Sequence, residues 1–416
     1  MRTRVAGNLL WMLVERGLQV SAGIGVVAML ARGLGPEGFA HFQYAQAVVL
    51  IAASLALVCS GEVVVPRLVA NPAPAAQHQL LTQAFLLRFI GAAIGYGLLC
   101  VYLAATSAVT EIWLAALWLG TAIFLREPFG VVTAWMQAHT NNRPGTLFSL
   151  AALTVKVVIV AVLYASHVRE VSGYAVAFAL EALIVAALLA AYYFRERPLG
   201  GIGWQPALAR ELVGAGTLFW VSFILMMGAR RVDQLILQPS VPTTEFGAYA
   251  ACMQILDNFT MVATILAAGI APSYVYARAR FEDAHANIGR IVLGMGAVGL
   301  AGGVAIAVCA PWIVKLLYGQ AFEATVGLLR MAAVISALVF ADVALTLLMV
   351  HLRKPRWIAI KWALVLATIL ACDLVLIPRF GSWGAIAGYA FGNGVAVLFG
   401  AALWWRFRPV SEMASA

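Results

Sequence analysis

Seven charged side chains lie deep inside apolar runs of this sequence: Glu15, Arg16, Arg126, Glu127, Lys156, Glu181 and Asp257. At a helical rise of about 1.5 Å per residue, each falls near the middle of its run. Glu62, Arg88 and Lys361 lie nearer one end of theirs, where a long side chain can reach water. Arg230, Arg231, Asp233 and Asp373 lie toward the opposite end. A charge at bilayer depth costs several kcal/mol unless it faces water or a partner, so these residues are the ones whose chemistry needs a reason. Cations there can hold anionic oxygens, Arg through paired hydrogen bonds and Lys as a point charge. Glu15, Glu127 and Glu181 can instead neutralise those cations in structural pairs, and that alternative stands beside any binding role. Arg230 and Asp233 are three apart on one helical face, which predicts a local salt bridge. Asp257 is read as the mid-depth acid without a basic neighbour one turn away, which makes it the candidate for a proton or Na⁺ site. Movement down a substrate gradient with no ion at all is the other option.

What must position these residues is a set of membrane helices. The 416 residues are 63% hydrophobic and 11% charged. The mean hydropathy of +0.93 is far outside the range of a soluble domain. Twelve apolar runs are each long enough for a hydrocarbon core of about 30 Å. They cover residues 8–32, 42–66, 82–105, 112–138, 146–166 and 172–194, then 211–238, 246–271, 290–314, 325–351, 357–377 and 383–405. The expected architecture is an all-α integral membrane protein with twelve transmembrane helices. The first run carries Glu15 and Arg16 and is followed by no small-residue cleavage site, so it reads as a retained helix rather than a signal peptide.

Positively charged loops stay cytoplasmic. With the amino terminus inside, the inner segments hold fifteen Lys and Arg residues, among them Arg143, Arg197, Arg353, Lys354 and Arg408. The outer loops hold four, Arg32, Arg169, Lys315 and Arg379. Both termini are therefore expected in the cytoplasm. The net charge of +9 is read as topology and contact with anionic lipid, not as a nucleic-acid footprint. All five cysteines fall in predicted helices, without a C-x-x-C pair or a metal-like Cys/His spacing, and read as packing residues. The six histidines are dispersed at helix ends and loops, so no metal site is expected. Trp113, Trp357, Trp404 and Trp405 read as an interfacial belt.

The chain also repeats itself. Phe39-Ala40-His41-Phe42 aligns with Phe246-Gly247-Ala248-Tyr249, Asn142-Arg143-Pro144 with Arg353-Lys354-Pro355, and Gly173 with Gly384. The loops keep their order, which predicts two six-helix lobes. Six is even, so both lobes enter from the same side and are parallel, related by an axis along the membrane normal. The expected division is 1–194 for the amino-terminal lobe, 195–207 for a cytoplasmic linker and 208–416 for the carboxy-terminal lobe.

The run MLARGLGPEGFAHFQYAQAVVLIAASLALVCSGEVVVPRLVA, Met29 to Ala70, resembles the opening corner of the Wzx-type polysaccharide flippases of the multidrug/oligosaccharidyl-lipid/polysaccharide superfamily. The residues that carry the resemblance are Ala31, Arg32, Leu34, Gly35, Pro36, Glu37, Phe39 and Gly61. Ala40 and Phe42 depart from that opening pattern, where Gly and Tyr are commoner, and Asp233, Gly247, Tyr249 and Ala251 match a second family pattern around the seventh helix. The resemblance implies a multi-pass flippase of the bacterial inner membrane that carries an undecaprenyl-pyrophosphate oligosaccharide for surface polysaccharide synthesis. It implies no catalytic residue. Its candidate partners are the lipid-linked oligosaccharide, the bilayer, and a polysaccharide polymerase with chain-length machinery.

With such a substrate the cations acquire a task, because two phosphates must cross a region that otherwise rejects them. Arg16, Arg126, Lys156 and Arg88 are the headgroup candidates; Arg230, Arg231 and Asp233 rank second, and Asp257 is the ion-coupling candidate. Pro128 is expected to kink the fourth helix beside Arg126 and Glu127. A drug or metabolite antiporter of the same superfamily is the main rival, although its cleft would not need several mid-depth cations. A membrane glycosyltransferase, polymerase or ligase is disfavoured by the short loops and by the lack of a paired-carboxylate or nucleophile motif.

Overall fold

The structure, a computed structural model, describes residues 2–196, 203–278 and 280–409, the side chains of residues 2–16 and 18 excepted. Twelve α-helical segments are found among these residues. In the first half they are α1 (Arg2–Ser54), α2 (Gly61–Ala70), α3 (Pro74–Ala105), α4 (Thr110–Ala138), α5 (Arg143–Ala165) and α6 (Val171–Glu196). The second half has α7 (Pro206–Leu237), α8 (Thr243–Ala271), α9 (Phe281–Leu317), α10 (Thr325–His351), α11 (Pro355–Phe380) and α12 (Ser382–Arg406). The protein is all-helical, and among the described residues 11 helices are long and apolar enough to cross a membrane. It is a multi-pass membrane protein.

The first crossing and the second are joined inside α1. Its 53 residues would span about 80 Å as one rod, well over twice a hydrocarbon core of about 30 Å. The rod is broken at Gly35, whose φ of 68° and ψ of 179° lie in a region essentially reserved for glycine, and Pro36 restarts the helix. The Gly-Pro corner read from the sequence is therefore the turn between two arms of α1.

The expected continuous span over 42–66 is also broken. Helix α1 ends at Ser54, a 3₁₀ turn follows at Leu55–Leu57, and α2 begins only at Gly61. Cys59 lies in this break and not in a helix. Helix α4, by contrast, runs unbroken from Thr110 to Ala138 with Pro128 buried inside it.

The chain divides into two compact units, Met1–Trp220 and Val221–Ala416, with the boundary inside α7. Of the linker expected over 195–207, residues 197–202 lie outside the described residues. In the first unit α4 is central, packed on α1, α3 and α6. In the second unit α10 takes the same place, packed on α8, α9 and α12. Both centres present small residues, Ala115 and Ala116 on α4 and Ala332 and Ala333 on α10, all fully buried. Small side chains let helix backbones approach, and close packing drives association where the solvent is lipid. The repeated corners fall at equivalent helix starts: Arg143-Pro144 opens α5 and Pro355 opens α11, each with proline in the first turn, where its missing N–H is not needed. The start of α7 belongs to the first unit, where Leu212 is buried with Val58, Val63, Val64 and Leu68. Trp220 Nε1 donates to the Ser54 carbonyl at 3.1 Å.

Candidate functional site

The charged residues of the first unit differ in how they are satisfied. Arg88 on α3 is buried and does not reach for water. Its Nε and a terminal nitrogen donate to the Cys59 carbonyl at 2.8 and 2.5 Å, and the other terminal nitrogen donates to the Glu127 carbonyl at 2.9 Å. The break between α1 and α2 leaves a main-chain acceptor without a helical partner, and one guanidinium supplies the donors that lipid cannot. Arg88 thus ties α3 to the break and to α4. Lys156 on α5 is also buried; its Nζ lies 2.8 Å from Glu181 Oε2 on α6 and 4.6 Å from the centroid of the Phe178 ring. This is the structural pairing weighed as the alternative to headgroup binding. Arg126 on α4 is exposed and forms no ion pair with the other described residues. The side chain of Arg16, with that of Glu15, lies outside the described residues.

In the second unit the structure pairs residues that spacing did not. Arg230 donates to Asp257 Oδ1 at 3.0 Å and Arg231 to Asp257 Oδ2 at 2.7 Å. Asp257, expected to stand without a basic neighbour, has both oxygens held by guanidinium groups from α7. The local bridge expected between Arg230 and Asp233 is absent because Arg230 turns to α8 instead. Arg230 remains 42% exposed at its side chain. Asp233 is buried and accepts a hydrogen bond from the hydroxyl of Tyr249 on α8.

Lys361 on α11, expected to snorkel from a helix end, is 1% exposed. Its ammonium donates to Asp342 Oδ1 and Oδ2 on α10 at 2.9 and 2.8 Å and to Thr346 Oγ1 at 2.9 Å. Asp342 escaped the sequence reading, since only the packing of α10 on α11 brings it to Lys361. Trp404, partly buried near the end of α12, stacks its ring on His285 at 4.7 Å between centroids and donates from Nε1 to the His285 carbonyl. All five cysteines are free thiols. Among the described residues no cluster of three or more His, Cys, Asp or Glu could hold a metal ion.

The arrangement sorts the membrane-buried cations into two kinds. Lys156 and Lys361 each meet one carboxylate, and Arg88 is committed to main-chain carbonyls. Arg126 and the Arg230–Arg231 pair retain positive charge, the pair because two guanidinium groups share a single carboxylate.

A family model described as "Polysaccharide biosynthesis protein" matches residues 29–327. No curated protein sequence matches the chain. Among solved structures, an inward-facing multidrug resistance MATE family transporter of the MOP superfamily is similar at a TM-score of 0.73 and 14% identity, covering 94% of this chain and 96% of that one. Lipid II flippase MurJ in an inward closed conformation is similar at a TM-score of 0.75 and 9% identity, over 95% of this chain and 87% of that one. A MOP superfamily transporter from Pyrococcus furiosus is similar at a TM-score of 0.64 and 13% identity, over 95% of this chain and 94% of that one. At such identities the likeness is one of fold.

Proposed function

The chain belongs to the polysaccharide biosynthesis protein family, and on that premise we propose that it is a flippase for an undecaprenyl-pyrophosphate oligosaccharide in the bacterial inner membrane, working by alternating access. The observation that carries this reading is the surplus positive charge of Arg230 and Arg231 over Asp257. Asp257 holds both guanidinium groups in place, so they are oriented before a ligand arrives. The exposed flank of Arg230 leaves N–H donors for anionic oxygens, and Arg forks match phosphate geometry. Arg126 in the first unit adds a third, exposed cation. A lipid carrier with two phosphates needs such charge at depth, whereas a cationic drug would be repelled by it. Lys156 and Arg88 then serve as scaffold, and the headgroup role falls to Arg126, Arg230 and Arg231.

The test is flipping of a labelled lipid-linked oligosaccharide by the full chain in proteoliposomes. Each charge-assisted hydrogen bond lost is worth about 1.5–3 kcal/mol, so Arg230→Gln and Arg126→Gln should each slow flipping roughly 10- to 100-fold. In cells, deletion should trap the lipid-linked oligosaccharide on the cytoplasmic leaflet. Normal flipping by the double variant, or export of a cationic drug in place of the lipid, would overturn the reading.

A further inference from the structure

One corner of the second unit gathers five cations. The turn between α10 and α11 and the first turn of α11 supply Arg353, Lys354 and Arg356, and the end of α12 supplies Arg406 and Arg408. All five are exposed, and among the described residues none has a carboxylate partner, Glu282 and Asp283 at the exposed start of α9 included. Aromatic rings interleave with these cations and tie the elements together. Lys354 Nζ stands 4.5 Å from the Phe407 ring centroid, so a cation of the turn covers a ring at the end of α12. Arg406 Cζ stands 5.9 Å from the Trp357 centroid, so a cation of α12 covers a ring at the start of α11. Arg408 Cζ lies 5.8 Å from the Trp405 centroid. A ring face attracts a cation over this range without consuming its N–H donors, which remain for anionic oxygens. The support is fixed from below: Trp357 packs on Phe399, and Trp404 and His285 each donate to the other's main-chain carbonyl.

Helix ends and topology do not account for this cluster. Cations do complement helix C-termini, and Lys and Arg collect on the side expected in the cytoplasm. The first unit has the same helix ends in a lobe expected to be parallel, yet the register that sets Asn142 against Arg353 also sets Gly145 against Arg356, Thr146 against Trp357 and Glu196 against Phe407. The corresponding corner there has three cations, Arg143, Arg195 and Arg197, with one acid among them and neither of the two cross-element rings. Farther along the same helices of the second unit, apolar side chains are exposed. Ile360 and Leu364 follow Trp357 on one face of α11, and Phe391, Leu398 and Trp405 recur every two turns on one face of α12. Cations at the head of an exposed apolar strip match an amphiphile, a phosphate carrying acyl chains, better than a soluble anion.

We propose that this corner binds an anionic phospholipid of the leaflet it faces, expected to be the cytoplasmic one, with the headgroup phosphate on Lys354, Arg406 and Arg408 and the acyl chains along α11 and α12. The site shares no residue with the cations assigned to the carried oligosaccharide, and lipid binding here does not depend on what the protein flips.

The full chain, purified in detergent, is titrated with anionic phosphatidylglycerol or zwitterionic phosphatidylethanolamine, and retained lipids are counted by native mass spectrometry. Wild type should retain one phosphatidylglycerol roughly tenfold or more tighter than phosphatidylethanolamine. Lys354→Gln/Arg406→Gln/Arg408→Gln should weaken that binding roughly 10- to 100-fold, while Arg353 and Arg356 remain to hold the orientation of the chain. Arg406→Lys/Arg408→Lys should keep most of the binding, and Arg143→Gln/Arg195→Gln in the first unit should leave it unchanged. Should the triple variant fail to accumulate, Trp357→Leu/Phe407→Leu, which keeps every charge, must still weaken binding because the rings that place the cations are gone. Equal retention of the two lipids by wild type would overturn the proposal, as would unchanged binding in the triple variant or an equal loss in the first-unit variant. Displacement of the bound lipid by inorganic phosphate would make the corner a site for free anions, and displacement by a trace of undecaprenyl phosphate a site for the carrier lipid; either result overturns the phospholipid assignment.

Discussion

Lys361 gives the sharpest test of how this protein keeps charge in its interior. The ammonium has three protons, and all three are placed, two on Asp342 and one on Thr346. At the 2.8 Å separation from Asp342 Oδ2 and an effective dielectric of about 20, the Coulomb attraction is about 6 kcal/mol. Desolvation of two buried ions offsets much of that, so the pair's net worth is small while the loss of one partner is expensive. Lys361→Met should therefore destabilise the protein by about 3–5 kcal/mol, because it strands the Asp342 carboxylate. Thr346→Val should cost only about 1 kcal/mol, one hydrogen bond. The double variant Lys361→Met/Asp342→Leu should recover most of the loss, since apolar side chains of similar volume can replace a buried pair. The readouts are the yield of monodisperse protein and the thermal unfolding midpoint in detergent. Wild-type stability in Lys361→Met, or a double variant as poor as the single, would refute the assignment of this pair as buried and mutually dependent.

The remaining predictions concern the first unit. Lys156→Ala should lower the amount of folded protein, by less than the Lys361 change because Glu181 keeps 21% of its side chain exposed. Lys156→Ala/Glu181→Ala should recover both abundance and flipping, and a double variant that folds but cannot flip would return Lys156 to the headgroup site. Arg88→Lys keeps the charge but loses the planar fork across the Cys59 and Glu127 carbonyls. It should cost about 1–3 kcal/mol of thermal stability, and an unchanged unfolding midpoint would show that the break before α2 holds itself.

The helical class and the repeat were legible because both are written in local patterns. Apolar run length is set by bilayer thickness, and the corners Gly35-Pro36, Arg143-Pro144 and Lys354-Pro355 announce helix starts through residues with restricted backbones. The break at Leu55–Ser60 was not legible, since the segment is as apolar as the helix around it and no proline interrupts it. Its only signal was Arg88, a charge that depth alone assigned to the membrane surface. The positions of the charges along each helix were read correctly as unusual, but their partners were not, because Asp342 with Lys361 and Asp257 with Arg230 and Arg231 meet only through the packing of separate helices.

That difference explains why Asp257 and Asp233 exchange places between the two readings. Judged within one helix, Asp233 has Arg230 a turn away and looks neutralised, while Asp257 has no cation and looks available. Across helices the order reverses. Arg230 and Arg231 both leave α7 for Asp257 on α8, and Asp233 is left with the Tyr249 hydroxyl. A carboxylate clamped by two guanidinium groups is poor at taking up a proton, because protonation would forfeit two charge-assisted hydrogen bonds. Helix packing therefore commits Arg230 and Arg231 to Asp257, and leaves Asp233, less than one helical turn further on, to the Tyr249 hydroxyl.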